Sequence, residues 1–214
     1  MSESKTSRAL VGAVVLLMLA MAAGGWILGS ANPRSDLPSE ASPEAGFARD
    51  MQTHHQQAVQ LSMIIRKHST NDAVRSMAYD IALTQQQQSG QMYAWLETWA
   101  LPQTGESMTW MDGLLTEESV HAGHGNISPG QSHTMASMGM ASAEEITELT
   151  AARGTEADRQ FLTLMIAHHI GGVEMAQAYL QHGNNHMVTV FANKIIMTQQ
   201  AEISALNQLL AQLN

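Results

Sequence analysis

Two histidine pairs, His54-His55 and His168-His169, each begin three residues after a methionine, Met51 and Met165. A helix turns by about 100° per residue, so with Met51 on its centre line His54 and His55 fall on either side of it. Phe47, Ala58, Leu61, Ser62 and Ile65 occupy the same arc. Around Met165 the second pair is disposed identically, and Gly172, Met175, Ala176 and Tyr179 complete that arc. Imidazole is a borderline ligand and a thioether a soft one, so inward-facing His and Met together suit Cu(I) best and divalent ions less well. The candidate metal ligands on this reading are Met51, His54, His55, Met165, His168 and His169.

A buried histidine is often a core residue satisfied by a hydrogen bond. Four of them in duplicated register are harder to accommodate that way, because burying imidazole is costly without partners. The facing apolar stripes carry Gln85, Gln88, Gln199 and Glu202 where helical periodicity would place leucine. These side chains are expected to orient the rings from behind, or Glu202 to ligate directly. A ligating imidazole must be neutral, so metal binding is expected to weaken between about pH 7 and pH 5.

A second group of candidate ligands, His121, His124, His133, Met135, Met138 and Met140, lies in a Gly- and Ser-rich segment without apolar periodicity. Such a tract reads as a mostly disordered linker that scavenges metal weakly, or as a plain solvated tether. Met63, Met77, Met92, Met175 and Met197 read as packing residues, and His68 and His182 as helix-end residues.

The elements that position these residues follow from an internal repeat. At a constant offset of 114, Phe47 matches Phe161, His54-His55 matches His168-His169, His68 matches His182, and Thr84-Gln85-Gln86 matches Thr198-Gln199-Gln200. Each copy reads as a helical hairpin, at 44–101 and within 143–213. Its helices run from Pro43 to Lys67, Asp72 to Ala100, Glu156 to Gln181 and Asn185 to Gln212, and a capping box at Ser142 and Glu145 opens a short additional helix. Four amphipathic helices make a bundle, with 102–142 as its linker.

Residues 9–29 contain no charge and follow Lys5 and Arg8. They read as a transmembrane anchor, favoured by its length over a signal peptide, with 1–8 in the cytoplasm. Residues 30–43, with Pro33, Pro38 and Pro43, are then a tether to an extracytoplasmic bundle.

With 19 Asp and Glu against 10 Lys and Arg, and no Lys or Arg between Arg75 and Arg153, nucleic acid is not an expected partner. Zero cysteine excludes disulfides and thiolate metal sites, while 16 Met and 10 His leave ample softer donors. There is no His-Glu-x-x-His, no Gly-x-Ser-x-Gly and no phosphate-binding glycine loop, so no catalytic residue is expected.

The motifs Phe47-x3-Met51-x2-His54-His55 and Phe161-x3-Met165-x2-His168-His169, each followed by a Gln-rich helix, resemble the bacterial family known as domain of unknown function 305. The resemblance runs from about Gly46 to Ala211. It implies an all-α, ferritin-like four-helix bundle and, as for some members, periplasmic copper binding and copper tolerance through Met51, His54, His55, Met165, His168, His169 and, by the resemblance, Met175 as well. This chain has Leu61 where its second copy has Met175, so the two half-sites are expected to differ. Copper buffering or chaperoning is the expected function. A copper or iron oxidoreductase and a structural or partner-binding bundle are the alternatives.

Overall fold

The computed structural model describes residues 37–111 and 134–213. The expected anchor at 9–29 and the linker histidines His121, His124 and His133 lie outside the described residues. By its contacts the chain divides into Met1–Leu37 and Pro38–Asn214. The second unit carries five α-helices over its described residues: α1 (Pro43–His68), α2 (Asp72–Thr98), α3 (Ala143–Ala151), α4 (Gly154–His182) and α5 (His186–Gln212). Among the described residues no helix is long and apolar enough to cross a membrane.

Helix boundaries have local causes that the repeat duplicates. Ser42 caps α1 by accepting a hydrogen bond from the Ala45 amide at 3.3 Å, with Pro43 in the first turn and Arg66, Lys67 and His68 in the last. Asn71 caps α2 through the Ala73 and Val74 amides at 2.9 and 3.3 Å. Its repeat partner Asn185 caps α5 through Met187 and Val188 at 3.1 and 3.3 Å. The capping box opening α3 is complete, with Ser142 N donating to Glu145 at 2.7 Å and Glu145 N to Ser142 at 3.2 Å.

The short turns make α1–α2 and α4–α5 antiparallel hairpins, and α1 against α4 joins them, while α2 and α5 scarcely meet. Phe47 and Met51 share an apolar cluster with Met92, Met175, Tyr179 and Ile195. Leu61 and Ile65 share a second one with Ile81, Phe161, Met165 and Leu206. The start of α1 thus packs on the end of α4 and the reverse, so these helices are antiparallel and their midpoints cross. Both histidine pairs sit at those midpoints, between the two apolar clusters.

The expected loose linker is corrected at both of its described ends, which are built into the bundle. Buried Asp50 accepts from Met108 N and Trp110 Nε1, each at 2.8 Å, and Arg49 Nε donates to the Pro102 carbonyl at 2.9 Å. On the other side Gln57 pairs with the Ala141 backbone, accepting from its amide at 2.7 Å and donating to its carbonyl at 2.9 Å. Met138 is only 2% exposed. The cause is that a buried carboxylate and a side-chain amide offer the segment backbone partners that water would otherwise supply. Residues 134–142 thereby form a strap across α1 and α4.

Two glycines permit that close approach. Gly139 has φ of 72° and lies against the Ala167 carbonyl, and a Cβ at Gly171 would overlap the Met138 carbonyl. Gly171→Ala should gain about 1 kcal/mol of helix propensity yet be destabilised by roughly 2 kcal/mol net, because the strap backbone must move. Gly90→Ala, where a Cβ meets open space, should stabilise by up to about 1 kcal/mol. Urea unfolding of the two variants checks this, and equal behaviour would show that the strap is not held against α4.

Candidate metal centre

All four histidines are fully buried, as the inward arcs required. His54 from α1 and His168 from α4 meet face to face, with ring centroids 3.6 Å apart and planes inclined by 31°. The rings within each pair diverge, with centroids 6.4 Å apart for His54 and His55 and 6.3 Å for His168 and His169.

Three of the rings are held by their outer nitrogen. His54 Nε2 lies 3.1 Å from the Met138 carbonyl, His55 Nε2 2.7 Å from Gln88 Oε1, and His169 Nε2 2.8 Å from Glu202 Oε2. Each partner is an acceptor, so each Nε2 carries the proton and each Nδ1 keeps an unshared lone pair. None of those Nδ1 atoms has a hydrogen-bond partner, and His168 has none at either nitrogen. Buried amides Gln85 and Gln199 are likewise unpaired at both ends. Gln199 abuts Gly172, where a Cβ would overlap its Oε1.

Gln88 and Glu202 therefore do orient rings from behind, whereas Gln85 and Gln199 make no contact of that kind. Met51 and Met175 are fully buried in one cluster with Met138, and Met165 is fully buried in the other. The structure thus separates Met165 from the other two thioethers. Met135 packs half-buried against the first cluster, and Met140 is half-buried. Sequence reasoning placed Met138 on a separate, weaker site, whereas its carbonyl fixes His54 in the bundle. The signal that would have found it is the pair of glycines, Gly139 and Gly171, that clear its path.

Among the described residues no three His, Asp or Glu side chains converge as a ligand set. Carboxylates therefore do not complete the centre; unshared imidazole lone pairs and thioethers are what it offers. Neutral nitrogen and sulfur donors in an apolar shell favour soft ions of low charge.

The family described as domain of unknown function (DUF305) matches residues 44–210. A solved DUF305 structure from Streptomyces coelicolor is 36% identical, with a TM-score of 0.69 over 82% of this chain and 96% of that one. A DUF305 fragment from Deinococcus radiodurans is 32% identical, with a TM-score of 0.62 over 79% and 96%. CopM in its Cu(II)-bound form is 21% identical, with a TM-score of 0.57 over 81% and 98%, a likeness of fold. No curated protein sequence matches.

Burial also sets the protonation of the rings. It holds His54 down at about 4, partly offset by the Met138 carbonyl, and His55 at about 3, with neighbouring His54 adding to the effect. His168 lies well below 6.5 from burial first and then from His54, His169 and His55. The expected weakening of binding between about pH 7 and pH 5 is corrected accordingly, since in the fold these three rings are already neutral there.

Protonation instead reaches the fold. The unfolded chain takes up protons near pH 6.5, the native state only well below it, so stability is full above that pH and falls as pH drops toward 4. Each ring contributes a loss of roughly 1 kcal/mol per pH unit in that window. Chelator-treated protein should show urea midpoints that are flat from pH 8 to 7 and fall steeply from pH 6 to 4.5, less steeply in His55→Gln. Unchanged midpoints between pH 7 and 5 would show that the rings are not buried neutral.

Proposed function

The chain belongs to the DUF305 family, and on that premise we propose that it is a copper-binding protein that buffers or hands on Cu(I) outside the cytoplasm. One observation carries this reading: the Nδ1 atoms of four fully buried histidines have no hydrogen-bond partner, and in three of them Nε2 is already engaged by an acceptor. A buried lone pair with no donor is an unmet demand of the metal-free core, and a cation meets it. The ion would be held by Nδ1 atoms of the paired histidines with thioethers from Met51, Met175 and Met138, and by Met165 on the other side of the pair. Bound there, copper would supply a soft, monovalent centre shielded from water.

The residues of the chain do the rest. Helices α1 and α4 fix the spacing of the pairs; Gln88, Glu202 and the Met138 carbonyl fix the tautomers; the two apolar clusters exclude solvent. CopM, similar in fold, is known in Cu(II)-, Cu(I)- and Ag-bound forms, which supports the choice of metal. The uncharged run at 9–29 behind Lys5 and Arg8 supports a single-pass anchor with the bundle outside the membrane.

Competitive titration of the full chain with Cu(I) against a chromophoric chelator tests the reading. His168→Ala combined with His169→Ala should abolish tight uptake while circular dichroism stays helical, since alanine favours helix and removes a buried polar demand. Deleting 112–133, which carries His121, His124 and His133, should lower the number of ions bound and leave the tightest site intact. Should the deletion remove that site and the double substitution alter only thermal stability, the histidine pairs are structural.

A further inference from the structure

The two copies solve one problem in two ways. In the first, the ring of His55 is held from behind by Gln88 at 2.7 Å; in the second, the ring of His169 is held by Glu202 at 2.8 Å. His55 and His169 stand at the repeat offset of 114, as do Gln88 and Glu202. The geometry is the same and only the charge differs. A neutral amide already fixes the ring in the first copy, so the charge of Glu202 is surplus to orientation.

That charge is costly where it sits. The Glu202 side chain is 16% exposed, and its ion-pair partner among the described residues is His169, which is itself 0% exposed. An anion hydrogen-bonded to one ring nitrogen is balanced when a cation binds the other nitrogen of the same imidazole, because the polarised ring passes the charge through.

We infer that Glu202 is the charge-compensating residue of the centre: it makes the second histidine pair the tighter half-site for a soft cation. One carboxylate and one monovalent ion leave no net charge, whereas a divalent ion leaves a positive charge in an apolar interior. This rests on the metal-binding reading above and adds to it which half binds first and which side chain offsets the charge of the ion.

Glu202→Gln reproduces the Gln88 arrangement and retains an acceptor, so a purely orienting role predicts unchanged binding. A charge-compensating role predicts that Ag(I) affinity of the full chain falls roughly tenfold to hundredfold, and that Cu(II) affinity falls further because the interaction scales with ionic charge. Gln88→Glu should do the opposite, strengthening Cu(II) more than Ag(I). Circular dichroism and urea midpoints verify that both variants are folded. Wild-type protein that takes up Ag(I), together with a folded Glu202→Gln variant that binds equally tightly, overturns this inference alone. Wild-type protein that takes up no Ag(I) overturns the metal-binding reading and this inference with it.

Discussion

A lone pair buried without a donor is the constraint on which the structure depends. At the start of α1 a buried acid follows the usual rule that burial requires a partner: Glu44 accepts from Asn184 N, Asn185 N and Tyr179 Oη at 3.0, 3.2 and 3.3 Å. Asp50 is satisfied in the same way. Most of the buried polar atoms without a partner among the described residues belong to the four histidines at the α1–α4 crossing and to Gln85 and Gln199, the others being single atoms of Arg49, Ser62, Arg66, Asp158 and Gln160. Such groups cost roughly 1 to 3 kcal/mol each, so a chain that retains several in one place bears a stability penalty that a ligand can relieve.

The repeat explains how the penalty is arranged and where it becomes uneven. Duplicating one hairpin puts two histidine pairs on antiparallel helices, which brings His54 onto His168 at the midpoint. Among the described residues, however, one strap serves the two copies. It engages His54 through the Met138 carbonyl, while His168, at the matching position, keeps both nitrogens unpaired. The exchange of Gln88 for Glu202 breaks the symmetry again. A duplicated scaffold has thus become two unequal half-sites.

Much of this was legible in the residues. The inward placement of His54, His55, His168 and His169 follows from helical angle alone, and the turns, caps and hairpins follow from Asn71, Asn185, Ser142 and the repeat. The polar interruptions at Gln88 and Glu202 were readable as ring supports because they fall on stripes otherwise apolar. Other features depend on contacts distant in sequence. Met138 reaches His54 across 84 positions, and the composition of its segment, rich in Gly and Ser, gives no sign that Gln57 will pair with Ala141. Met165 looked equivalent to Met51 by its spacing, yet antiparallel packing sends the two into different clusters. The lowered proton affinity of His54, His55 and His168 likewise comes first from burial, which depends on the assembled fold.

Histidine-selective nitrogen-15 NMR of the chelator-treated full chain, before and after adding Ag(I), tests the central claim most directly. The account predicts protons on Nε2 of His54, His55 and His169 in the metal-free protein, and Nδ1 resonances of the buried rings that shift when Ag(I) is added. Protons found on those Nδ1 atoms, or shifts confined to the outer histidines His68, His182 and His186, would contradict it.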